Sequence, residues 1–177
     1  PIMGEYLSMK GNRRADADEN VHPDENYARE LLQLFTIGLT ELEPDGSPRL
    51  AADGTLVPTY DQTTIESFAR VFTGWQFAGA ENFRWPREKN WLDPMQAWPE
   101  FHDEGPKRLL RGAVLPGGQS PERDLEAALD NVFEHPNVGP FIVRQLIQRL
   151  VTSNPSPGYV RDVAAVFDRN AAGERGS

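Results

Sequence analysis

The sequence predicts a mainly α-helical domain of about five substantial helices, with long loops and a minor β-hairpin. Three observations carry that expectation. Apolar residues recur at helical spacing in five separate segments. Several of those segments open on an Asp or a Ser-Pro start signal. Fifteen prolines and fifteen glycines divide the segments with turns.

The elements follow in order. Ile2, Met3, Tyr6, Leu7 and Met9 form a short apolar patch, and Gly11 to Asn20 then reads as an exposed polar loop. The first strong helix follows Pro23, with Asp24 as its cap and Ala28, Leu31, Leu32, Phe35 and Leu39 as one apolar stripe. Gly38 falls where a helix stops. Residues 40–58 carry two Asp-Gly turn pairs, Asp45-Gly46 and Asp53-Gly54, between short apolar runs, which predicts a hairpin-like excursion. The spacing of these aspartates does not match the alternating ligands of a calcium loop. A second helix begins at Asp61, with Ile65, Phe68, Ala69, Phe72 and Trp75 on one face. Residues 76–119 form an irregular region holding Trp85, Trp91 and Trp98, with a short strand expected between Arg108 and Leu115.

Three helices close the chain. Ser120-Pro121 opens the first, with Leu125, Ala128, Leu129, Val132 and Phe133 inward. Asn137 is read as the cap of the next, whose stripe is Val143, Leu146, Ile147, Leu150 and Val151. Ser156-Pro157 opens the last, with Val160, Val163, Ala164 and Phe167 inward. Beyond Asn170 the tail Ala171 to Ser177 carries no core signal.

Composition narrows the function classes. The chain of 177 residues is 38% hydrophobic and 25% charged, which is enough apolar material to build a core. A formal net charge of −9 with no basic stripe argues against nucleic acid as a partner. No apolar run approaches the roughly 20 residues that span a bilayer. The absence of cysteine removes disulfides, thiolate nucleophiles and Cys-ligated zinc.

Several ordered motifs resemble one family. Pro23-Asp24-Glu25-Asn26-Tyr27-Ala28-Arg29-Glu30 leads to Leu34-Phe35-Thr36-Ile37-Gly38. Thr59-Tyr60-Asp61-Gln62 then precedes Ala69-Arg70 and Thr73-Gly74-Trp75. His102-Asp103-Glu104-Gly105-Pro106-Lys107 looks like a His-Asp-x-Gly-x-Lys motif, and His135-Pro136 with Phe141-Ile142 closes the series. Together these resemble the bacterial domain-of-unknown-function 1800 family. The resemblance implies no established activity. It implies an exported, periplasmic or extracellular location, and a family domain longer than this chain at both ends. The chain therefore reads as one helical domain over 1–177, a fragment whose truncated face is open to a protein partner or to self-association.

Two groups of residues carry the candidate chemistry. Asn26, Tyr27, Arg29 and Glu30 put a polar face on the first helix, and the bland reading is a surface held by the Glu25–Arg29 ion pair. His102 beside Asp103 can act as a base oriented by a carboxylate or can help to ligate a metal, and Lys107 can pair with a carboxylate or bind an anion. The bland reading there is a structural turn. The catalytic set is thus His102, Asp103 and Glu30, the binding set Asn26, Tyr27, Arg29 and Lys107, and the metal candidates His102 and Asp103. If the two groups meet, Arg29 is expected on Asp103 and Lys107 on Glu30. No cofactor is specified by any motif. Two functions remain open: an exported helical binding or scaffold module, or a hydrolase-type enzyme, metal-assisted or not, using these two groups. Loop tryptophans keep a carbohydrate ligand in view.

Overall fold

The computed structural model describes residues 1–176; Ser177, the end of the tail, lies outside the described residues. The helices are α1 (Ile2–Tyr6), α2 (Asn26–Glu30), α3 (Gln62–Val71), α4 (Pro121–Phe133), α5 (Val138–Leu150) and α6 (Pro157–Asp168). A π-helical segment, Leu31–Thr36, continues α2 and makes it substantial. Two antiparallel ladders are small. β1 (Trp75–Gln76) pairs with β2 (Gln96–Ala97), and β3 (Lys107–Arg108) pairs with β4 (Val114–Leu115). The chain folds as two compact units, each built from two stretches: Pro1–Leu31 with Asp61–Asn131, and Leu32–Tyr60 with Val132–Ser177.

In the first unit α3 is the central element. Asp61 caps it as the sequence indicates, its Oδ1 accepting the Thr64 amide at 2.8 Å. Ile65, Phe68, Ala69, Phe72 and Trp75 are all buried, so this stripe forms the core face. α3 packs against α2 and against β3. Tyr27 meets Phe72 edge-on, with ring centroids 4.9 Å apart. The loop after α1 is more ordered than its polar composition suggests. Asn12 is buried within it: its Oδ1 accepts the Asp24 amide at 2.8 Å and its Nδ2 donates to the Ala69 carbonyl at 3.4 Å. One amide side chain thus fastens the loop to the core.

Several helical stripes depart from expectation in instructive ways. Ala28 and Leu32 are buried as expected, but Phe35 and Leu39 are exposed and Ile37 is buried in their place. The π-helical turn explains the change. Its i→i−5 bond, from the Ile37 amide to the Leu32 carbonyl at 3.1 Å, widens the turn and rotates later residues off the stripe. Gly38 ends the segment with φ +74°, and its amide reaches the same Leu32 carbonyl at 2.9 Å. Residues 40–58 form the expected excursion as isolated pairs, Thr40 with Pro58, Leu42 with Pro48 and Leu50 with Leu56. Each Asp-Gly turn is closed by its aspartate, Asp45 accepting from Ser47 and Asp53 from Thr55.

Asn137 does not cap α5 through its side chain. It instead donates to the Ile37 and Thr40 carbonyls at 2.9 and 2.8 Å and accepts the Leu42 amide at 2.9 Å, pinning the excursion. Val143, Ile147 and Val160 form a buried cluster with Val163 and Phe167 packed on it, so α6 presents the expected face. Leu146, Leu150 and Val151 are exposed, against expectation. Leu129 and Phe133 on α4 are exposed likewise, while Pro121, Asp124, Ala128 and Val132 turn inward. A polar residue therefore occupies the buried face of α4. The tail, too, finds a place: Arg175 lies over the Phe133 and Phe167 rings, pairs with Asp168, and donates to the Phe133 carbonyl at 3.1 Å.

Candidate functional site

The inward turn of Asp124 builds the site. Ser120 and Pro121 start α4, and Asp124 falls in its first turn, where the helix dipole favours a negative charge. The side chain is fully buried and needs partners. Its Oδ2 takes the Lys107 ammonium at 2.6 Å and the His102 Nε2 at 3.0 Å, and its Oδ1 takes the Gln119 amide at 2.7 Å. Lys107 is only 1% exposed. Its other two protons go to the Asp103 carbonyl at 2.5 Å and the Gly105 carbonyl at 3.0 Å. Three donors meet three acceptors, so the ammonium is satisfied without water.

His102 is equally committed. Its Nδ1 lies 2.9 Å from the Thr73 carbonyl, which can only accept, so this nitrogen donates. Its Nε2 faces Asp124, and the ring is 1% exposed. Asp103 points the other way. Arg70 of α3 grips it through two bonds, Nε to Oδ2 at 3.0 Å and Nη2 to Oδ1 at 2.8 Å, and the Gly105 amide adds a third at 2.9 Å. Burial pushes the Asp103 carboxyl up, but Arg70, the Gly105 amide and Lys107 outweigh it and hold the group below its usual range. The same pair raises Arg70. Thr73 ties the two halves together, its Oγ1 accepting the Asp103 amide at 2.9 Å and donating to the Arg70 carbonyl at 2.7 Å.

Two glycines make the close approach workable. Gly74 has φ +80°, and a Cβ there would sit 2.9 Å from the Trp98 carbonyl oxygen and 3.0 Å from the His102 nitrogen. A Cβ on Gly105 would collide with the Arg70 guanidinium.

The pairings expected between the loop and the first helix are not formed. Asp103 pairs with Arg70, not Arg29, and Lys107 with Asp124, not Glu30. Arg29 is already held by Glu25 at 2.6 Å and by the Gln62 side-chain Oε1 at 2.8 Å, in the surface arrangement of the bland reading. Asn26 is exposed, and Glu30 is half-buried. Tyr27 is largely buried, which raises its phenol. Of the residues named from sequence, His102, Asp103 and Lys107 come together, and Asn26, Arg29 and Glu30 do not join them in hydrogen bonds. The metal candidates His102 and Asp103 spend their polar atoms on protein partners, and among the described residues no group of three or more His, Asp or Glu is arranged to hold a metal.

Sequence reasoning passed over Asp124, Gln119 and Asn12. Asp124 had one signal: it stands one position before Leu125 on a helix whose inward face also includes Ala128 and Val132, at the i+4 and i+8 positions.

The fold and site define a class: a mainly helical protein whose His-Asp-x-Gly-x-Lys segment is locked by a buried ion-pair network. Over residues 1–174 the chain matches the family model described as Protein of unknown function (DUF1800). It belongs to that family. No curated protein and no solved structure gives a match. Among the described residues no helix is long and apolar enough to cross a membrane.

Proposed function

We propose that the chain is a helical binding or scaffold module in which the His102–Lys107 segment is a structural clamp. The observation that carries this reading is the commitment of His102: the ring is buried and both nitrogens face protein acceptors. A general base must reach the proton it removes, and this imidazole has no free side from which to do so. Lys107 and Asp124 are likewise consumed by each other. The hydrolase reading loses His102 as its acid–base group on the same grounds. Support for a protein partner comes from the exposed Leu146, Leu150 and Val151 at the end of α5. An exported location belongs to the proposal through family membership alone.

Melting and metal binding separate clamp from catalyst. Lys107→Met takes the ammonium partner from the buried Asp124 and is expected to cost about 3–5 kcal/mol. His102→Ala strips the carboxylate of a second donor and is expected to lower the melting temperature as well. Zinc or manganese, titrated into the wild-type chain, should leave its melting temperature unchanged. Were His102→Ala to melt like wild type while abolishing a metal-induced stabilisation of the parent, the clamp would be refuted and a metal site restored.

A further inference from the structure

A second polar cluster in the first unit has no part in the clamp. Lys10, Gly11, Arg13, Arg84 and Trp85 line an open pocket of about 320 Å³. In a chain of net charge −9 such a gathering of cations is unusual. Glu19 occupies the arginines: a single oxygen, Oε2, receives Nη2 of Arg13 and Nη2 of Arg84, each at 2.5 Å. Lys10 is held by Glu5 at 3.1 Å. Three cations against two carboxylates leave one positive charge at the lining. The flanking Lys89, on Glu5, and Asp16, 3.8 Å from Arg13, cancel each other.

Trp85 stands beside this charge almost wholly in solvent, at 83% exposure. Tryptophan is ordinarily highly buried, and here the loop that carries it is braced. The Trp85 amide donates to Asn82 Oδ1 at 2.6 Å, and Asn82 Nδ2 returns a bond to the Trp85 carbonyl at 3.0 Å. Two residues earlier, Phe83 is buried, stacks on Phe101 at 4.1 Å, and gives its carbonyl to Gln76. The indole is an exposed flat surface, carried on a braced loop, at the rim of a cationic pocket.

We propose that this pocket binds a carboxylate-bearing sugar, a uronate, whose carboxylate takes the place of Glu19 on Arg13 and Arg84 and whose ring lies on the Trp85 indole. The internal occupant identifies the chemistry, since the two guanidinium groups already converge on a carboxylate. With Glu19 displaced, Lys10, Arg13 and Arg84 against Glu5 leave two positive charges, enough for one carboxylate and too few for a di- or triphosphate. The apolar C–H face of a pyranose matches an exposed indole, and Lys10 remains for a ring hydroxyl. A pocket near the lower end of the ligand-site range, about 300 Å³, suits one or two sugar rings. Glu19 then acts as a built-in competitor, and the bonds from Arg13 and Arg84, which lower its carboxyl, keep it ionised. None of these residues belongs to the clamp, so this inference and the preceding proposal stand or fall separately.

The test is calorimetric titration of the full chain at low salt with D-glucuronate, D-glucose and inorganic phosphate, on wild type and on Glu19→Gln, Arg84→Ala and Trp85→Ala. Glucuronate is expected to bind and glucose not to. Glu19→Gln should tighten glucuronate binding several-fold by vacating the arginines, while Arg84→Ala and Trp85→Ala each weaken it by about tenfold or more. The three side chains are largely solvent-facing, and unchanged melting curves show that the variants are folded. If Arg84→Ala does not fold, the opposite effects of Glu19→Gln and Trp85→Ala decide the matter. Equal binding of glucose, displacement by equimolar phosphate, weaker binding by Glu19→Gln, or no heat from glucuronate with either wild type or Glu19→Gln would each overturn the proposal.

Discussion

Asp103 shows how much one side chain can be asked to do. It accepts two bonds from Arg70 and one from the Gly105 amide, while its own backbone bonds Thr73 and Lys107. Its carboxyl is held below the ordinary range, so the folded state binds this proton less readily than the unfolded chain. The stability it contributes is therefore complete above the ordinary carboxylate value and is lost as pH falls from there through the lowered value in the fold. Asp103→Asn is expected to be less stable than wild type by about 1–3 kcal/mol at neutral pH and to show a shallower decline in acid. Urea midpoints measured at neutral and acid pH check both parts, and parallel acid slopes for the two proteins would rule the attribution out. His102, Asp103 and Lys107 were legible in the sequence as a polar motif. Their partners were not, because Arg70, Thr73 and Asp124 lie 33, 29 and 17 residues from Asp103, His102 and Lys107 respectively, and spacing along a chain says nothing about which buried charge will find which.

At the scale of elements, helix starts were well written in the sequence and helix faces less so. Asp61 and Ser156 cap α3 and α6 because a short acceptor before an apolar stripe has one favourable use there. The stripe running from Ala28 failed beyond Leu32 because the backbone adopts a π turn, and a pattern read at 3.6 residues per turn cannot anticipate a change of pitch. Asn137 failed as a cap because its amide is more valuable joining three backbone groups of the excursion. Gly38 makes the clearest test at this level. It combines φ +74° with a position where a Cβ would meet the Phe141 ring at 2.7 Å. Gly38→Ala should therefore lose about 1–3 kcal/mol in urea unfolding, whereas an alanine at Gly54, which also has positive φ but open space around it, should lose less. Equal losses at the two sites would show that backbone strain alone matters and that the Phe141 contact is soft.

For the whole molecule, net charge is the property that sequence states most directly. At −9 the chain should not bind duplex DNA at physiological salt, since few phosphates could be neutralised. A salt-sensitive, sub-micromolar shift of a random duplex in fluorescence anisotropy would contradict this. The sequence by itself determined the helical class, most helix boundaries, the Asp-Gly excursion and family membership. These follow from local signals: periodicity, capping side chains, turn pairs and the order of motifs. Tertiary structure alone decided that the His-Asp-x-Gly-x-Lys segment is a clamp between α3 and the start of α4. It alone brought Arg13, Arg84 and Glu19 together beside Trp85. The physical reason is the same in both cases. Which partner a charge takes, buried in the clamp or half-exposed around Glu19, depends on the three-dimensional placement of groups far apart in the chain, and no local preference encodes that choice.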